Sequence, residues 1–186
     1  MTPQDASFFS AKAVVDFWRA AGPKKWFKKD EAFDAQFRSR FESAHEAAAR
    51  GALDDWTANA HGALALLLLL DQFPRNVFRD SPRTYATDAR ALAVARKAVD
   101  LGLDREIDDP GLRAFFYLPF MHSEALADQD RSVALCENAG PDNLRFARHH
   151  RDIVARFGRF PHRNALLGRE STPEELQFLA KGGFAG

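Results

Sequence analysis

Within six positions the chain sets out an acid, an amide, a guanidinium and a second amide: Asp71, Gln72, Arg75 and Asn76. They follow eight consecutive apolar residues, 63–70. An acid at the C-terminal end of a buried helix meets the negative end of the helix dipole, so a cation must stand beside it. Arg75 is the nearest one, and Arg159 and Arg163 are candidates that the fold can bring in. Phe73-Pro74-Arg75-Asn76 is echoed in Phe160-Pro161-His162-Arg163-Asn164, the two asparagines 88 positions apart, with Arg159 just ahead of the second string. Facing each other, the two corners would turn Arg75, Arg159, Arg163, Asn76, Asn164 and His162 toward a carboxylate or phosphate. Phe73 precedes a proline and is expected to be extended. Pro74 then opens a new short helix whose free N–H groups add to the anion site. The competing reading is architectural: Asp71 and the arginines form a buried network that ties helix ends together.

A third stretch, Tyr117-Leu118-Pro119-Phe120-Met121-His122-Ser123-Glu124, places a histidine and an acid beside a proline break. His122 with Glu124 is the candidate acid/base pair, with His162 next. As a metal signal His-x-Glu is weak, because the helical His-Glu-x-x-His motif is absent, and no metal is expected. His149 and His150 are adjacent, so on a helix they diverge; His150 falls on the apolar face and His149 outside. No nucleophile elbow, phosphate-cradling glycine loop or dinucleotide fingerprint occurs, so no cofactor is implied.

Composition narrows the classes. The 186 residues suffice for one domain, 1–186, with an ordered core of about 7–181. Lysine plus arginine equals aspartate plus glutamate, 26 against 26, which argues against a nucleic-acid or anionic-membrane surface. Seventeen phenylalanines against two tyrosines mark the rings mainly as packing residues. The lone Cys136 cannot form an internal disulfide and is expected to be a spectator thiol. No signal peptide is recognisable, and the run 63–70 is too short to span a bilayer, so a cytoplasmic protein is expected.

The elements that must carry these residues are helices. After a loose lead-in of ten residues, with the first helix opening from about Ser7, Ala11, Val14, Val15 and Trp18 recur at helical spacing, and Gly22-Pro23 stops them. Lys24, Lys25, Lys28 and Lys29 surround Trp26-Phe27, read as two rings docked on the core or as a ligand clamp. Asp30 caps a helix carrying Phe33, Phe37 and Phe41, on which His45 is expected as a solvated or core-edge residue. The buried helix spans about 60–72, and Ser81-Pro82 starts another that runs to Gly102. A short aromatic helix covers 112–118 and is broken by Pro119. Ser123 caps a helix over 124–138, and a long helix covers 142–158. Ser171-Thr172-Pro173-Glu174-Glu175 starts the last one, Gly182-Gly183 ends it, and the tail is expected to fray. No period-two stretch suggests a strand. The expected fold is all-α: about eight to ten helices in a tetratricopeptide-like stack of antiparallel hairpins.

Asp16-Phe17-Trp18, Trp26-Phe27, the string from Leu70 to Asn76, the string from Tyr117 to Glu124, and the string from Arg156 to Asn164 resemble the bacterial domain-of-unknown-function family 924. The resemblance covers nearly the whole chain. It implies an all-helical, tetratricopeptide-like superhelix, and it carries no assigned activity or catalytic residue. The short tail after Leu179 argues against a C-terminal function.

Two functions follow as expectations. In the first, a polar pocket of Asp71, Gln72, Arg75, Asn76, Arg159, His162, Arg163 and Asn164 binds a small anionic metabolite, and His122 with Glu124 acts on it. In the second, the helical stack is a scaffold for a peptide or protein partner, presenting Trp26, Trp56 and the 24–29 lysine loop on an open face.

Overall fold

The structure is a computed structural model that describes residues 9–137 and 139–184; Ser7 and Asn138, the expected ends of two helices, lie outside the described residues. Among the described residues the chain is all-α, with no strand. No helix among them is long and apolar enough to cross a membrane.

Helix α1 (Ala11–Ala21) is capped by Ser10, which accepts from Ala13 N–H, and buries Val14, Val15 and Trp18. After the short α2 (Pro23–Trp26), α3 (Glu31–Ala49) is capped by Asp30 and buries Phe33, Phe37 and Phe41 at four-residue intervals. These rings form an aromatic cluster with Phe17, Trp18, Trp26 and Phe115, part stacked and part edge-to-face. Trp26 is buried and donates from Nε1 to the Trp18 carbonyl at 2.7 Å; its neighbour Phe27 is 68% exposed. One ring of the expected pair is therefore core and the other surface.

The main core packs around α4 (Ala60–Leu67), a π turn (Leu68–Gln72) and α5 (Phe73–Val77), one continuous helical run. Residues 62–74 are all buried, as a helix apolar on every side requires. Gly62 permits the close approach at its start: a Cβ there would stand 2.1 Å from the Trp56 carbonyl oxygen. Phe73 is not extended; at φ −53° and ψ −50° it is helical. The π turn is the reason. Phe73 N–H bonds the Leu68 carbonyl, five residues back, and this widening relieves the clash that Pro74 would otherwise make with the preceding turn. Pro74 brings no N–H, and side chains serve the carbonyls around the break. His45 Nδ1 bonds Leu69 O at 2.9 Å, Thr87 Oγ1 donates to Leu70 O at 2.5 Å, and Arg75 Nη1 donates to Asp71 O at 2.8 Å. His45 is thus buried and stacked on Phe73 rather than solvated. No new helix N-terminus opens at Pro74.

Ser81 caps a single 3-10 turn (Pro82–Tyr85), and the next helix, α6 (Asp88–Asp100), starts six residues later than Pro82. Asp88 occupies its first position, where the helix dipole favours an acid. The aromatic stretch is α7 (Pro110–Arg113), a 3-10 turn, and α8 (Leu118–His122), with Pro119 inside the first turn of α8 rather than breaking a helix. Gln129 on α9 (Leu126–Cys136) closes the end of α8 by donating from Nε2 to Met121 O and Ser123 O. Ser123 does not cap α9; Ala125 holds that position, and Ser123 Oγ donates to Asp128. Helix α10 (Pro141–Phe157) ends at Gly158 in the left-handed conformation, φ +71°. A capping box of Thr172 and Glu175 starts α11 (Pro173–Ala180). The tail beyond it returns to the body: Phe184 packs with Ile153, Val154 and Phe160 in a second apolar cluster.

Candidate functional site

The site is built on Asp71, almost fully buried on the π turn. Its Oδ1 bonds His122 Nδ1 at 2.8 Å and lies 3.1 Å from Arg75 Nη1; its Oδ2 accepts from Gln72 Nε2 at 2.6 Å. Burial by itself would raise its pKa, but the Arg75 charge, His122 and the Gln72 hydrogen bond together hold the carboxyl well below the usual range. An ionised carboxylate has no proton to give, so His122 supplies the one in their hydrogen bond from Nδ1. Burial and the nearby Arg75 charge lower the pKa of His122, which keeps the ring neutral at pH 7. Its Nε2 is then a lone-pair acceptor, the arrangement a general base needs.

Arg75 is paired with two carboxylates. Beyond Asp71 it grips Asp88 with both ends of its fork, at 2.9 and 3.0 Å. Burial disfavours its charge, yet Asp71 and Asp88 outweigh burial and raise its pKa. Arg163 is in the opposite condition. It is 7% exposed, its one carboxylate contact is Nη1 to Asp88 at 3.4 Å, and its Nε has no hydrogen-bond partner. Burial and repulsion from Arg75 lower its pKa. The guanidinium carbon lies over the rings of Tyr85 (4.6 Å) and Phe160 (4.5 Å).

Arg75, His122 and Arg163 line one cleft of about 540 Å³ with Tyr85, His150, His162 and Phe184. Burial pushes His150 down to about 3, and burial with the Arg163 charge pushes His162 down to about 4, so both rings are neutral at pH 7. His150 Nδ1 bonds the Phe146 carbonyl, whereas His162 Nδ1 has no partner. Among the described residues no three of His, Cys, Asp and Glu are grouped as a metal ion would need. A second cleft, of about 530 Å³, lies between α1 and Trp56. Its Lys12, Asp16 and Arg19 pair among themselves at exposed positions, and it gathers no buried ionic group.

Of the expected site residues, the structure brings Asp71, Gln72, Arg75, His122, His162 and Arg163 together. The others are elsewhere. Asn76 donates to Asp34 at 2.9 Å. Arg159 pairs with Glu175 at 2.6 Å and also donates to the Glu170 carbonyl, and Asn164 bonds Ser171 and Glu175. Glu124 is not the partner of His122: it takes both ends of the Arg169 fork, at 2.7 and 3.0 Å, and accepts from Phe160 N–H. The reason is that α9 starts after Glu124, leaving this acid on the connector that faces the second corner. Asp88, Tyr85, His150 and Phe184 were not expected. A signal existed for Tyr85, one of only two tyrosines among many phenylalanines. None existed for Asp88, which sits mid-helix in any reading that starts α6 at Pro82.

The sequence profile of a family described as bacterial protein of unknown function (DUF924) matches residues 14–183. No curated protein matches the chain. Among solved structures, a protein of unknown function, ATU0120 from Agrobacterium tumefaciens, is 54% identical, with a TM-score of 0.90 over 92% of this chain and 97% of that one.

Proposed function

Starting from a chain that belongs to the DUF924 family of bacterial proteins of unknown function, we propose that its central cleft binds a small anionic metabolite, with Arg163 taking the anion and the Asp71–His122 pair supplying a base beside it. The observation that carries this reading is the contrast between the two arginines. Asp88 is already held bidentately by Arg75, so Arg163 is a buried cation with one long contact and an unpaired Nε–H. A buried donor left without a partner costs about 1–3 kcal/mol, and a buried charge more. An incoming anion offsets that cost, which a purely architectural arginine would have no reason to bear. The neutral His122, with Nε2 free, then stands in the same cleft as the bound group.

The test is a thermal-shift screen of the protein against phosphates, nucleotides and carboxylates, run beside Arg163→Ala. A ligand-dependent rise in Tm that the variant loses supports the reading. A flat screen, with the variant simply melting earlier, overturns it in favour of a structural network.

The scaffold alternative finds less support. Its open aromatic face needed Trp26, which is buried against Phe115 with its N–H bonded inside the fold.

A further inference from the structure

We infer that the ligand of this cleft is a monocarboxylate with a ring-sized apolar body, rather than a phosphate or a dicarboxylate. The inference rests on the anion-site reading and goes further on two grounds, charge and shape.

Two carboxylates, Asp71 and Asp88, stand against two guanidiniums, Arg75 and Arg163, so the group is electrically balanced before a ligand arrives. Both terminal nitrogens of Arg75 are bonded to Asp88 and one of them also to Asp71, so its charge is already matched by two carboxylates. The three histidines of the cleft are neutral and supply no charge. The other cations of the lining, Lys29 and Arg79, are paired with Glu31 and Asp34, so a dianion would face Asp71 and Asp88 with a single under-paired guanidinium to hold it, which Coulomb repulsion opposes. One negative charge suits the one under-used arginine.

The free part of Arg163 also has a definite shape. Its Nη1 is turned to Asp88, and its carbon lies over Tyr85 and Phe160, so what remains is the edge formed by Nε and Nη2. Two parallel N–H groups on one planar edge match the two oxygens of a planar carboxylate. The same lining, which also holds Lys29, Arg79, Asp80 and Thr84, carries apolar side chains. Leu166, Tyr85 and Phe184 belong to it, and Phe184 meets the rings of His150 and His162 at 4.5 and 5.1 Å. A ring-bearing acid can set its carboxylate on Arg163 and its body against these side chains.

The experiment is calorimetric titration of the full chain with phenylacetate, acetate, succinate and inorganic phosphate, repeated on Arg163→Lys and Phe184→Ala. Phenylacetate is expected to bind at least about tenfold more tightly than acetate, from burial of its ring. Arg163→Lys keeps the charge but loses the fork, and is expected to weaken phenylacetate about tenfold. Phe184→Ala, at the tail, is expected to weaken phenylacetate about fivefold and leave acetate unchanged. Equal affinity for acetate and phenylacetate overturns the apolar body. Tighter binding of succinate or phosphate overturns the monocarboxylate and leaves the anion site standing. Binding of none of the four by the unaltered chain overturns both. Circular dichroism of each variant separates lost binding from lost fold.

Discussion

Asp71 and His122, 51 positions apart in the chain, are joined through Oδ1 and Nδ1 at 2.8 Å, and this bond couples the π turn to the end of α8. Asp71→Asn removes a buried charge on which Arg75, His122 and Gln72 all depend. It is expected to cost about 3–5 kcal/mol in urea unfolding, as for other broken buried ion pairs. The pKa of Asp71 is depressed in the fold, so its contribution is present above the ordinary carboxylate pKa and lost as pH falls below it. The stability gap between the parent and Asp71→Asn should therefore narrow in acid; a gap that stays constant to pH 3 rejects this account.

The two cleft arginines should separate sharply. Arg75→Ala leaves Asp71 and Asp88 buried without their main partner and is expected to cost about 3–5 kcal/mol. Arg163→Met removes an under-paired cation and keeps its bulk, so a cost below about 1 kcal/mol, or a small gain, is expected. Equal losses in denaturant unfolding would make Arg163 a structural residue.

At the proline break, Thr87 supplies the hydrogen bond that Pro74 cannot. Thr87→Val keeps the shape but leaves the Leu70 carbonyl without this donor, at an expected cost of about 1–3 kcal/mol. Thr87→Ser keeps the hydroxyl and should lose much less. Similar melting temperatures for the two variants would show that the hydroxyl does not matter.

His150 and His162 are held neutral, with values of about 3 and 4 against an ordinary 6.5. The unfolded chain binds more protons than the fold between those limits, so stability is full above pH 6.5 and declines as pH falls toward 4 and then 3. Around them stand His122, His149, Glu124, Arg75, Arg163 and Arg169, and the Phe146 carbonyl. The double variant His150→Gln, His162→Gln should show a shallower decline in urea midpoint between pH 6.5 and 4.5. The same decline in the parent and the double variant counts against the two histidines as its source.

Gly62→Ala drives a methyl into the Trp56 backbone. A backbone oxygen cannot turn aside as a side chain can, so the cost should lie at the upper end of about 1–3 kcal/mol or beyond. A melting temperature unchanged from the parent would mean that the 3-10 turn over Asp54–Ala58 shifts freely.

What the sequence determined by itself is the helical class and most helix starts and stops, because these are local. Asp30 caps the turn that follows it, Gly158 takes the left-handed exit of α10, and Thr172 with Glu175 closes a box over three residues. Apolar residues at helical spacing pointed out the buried faces of α1 and α3. Where two local rules conflicted, at Phe73-Pro74, the tertiary structure chose: His45 and Thr87 reach the loosened carbonyls from distant helices, which makes a continuous run with a π turn affordable. The partners of the charged groups were decided only in three dimensions. With 26 acids and 26 bases, spacing along the chain cannot say that Asp88 receives two arginines, that Glu124 belongs to Arg169, or that His122 belongs to Asp71. Coulomb attraction is blind to sequence separation; packing of the apolar helices brings those particular charges within reach and out of water, where pairing becomes compulsory.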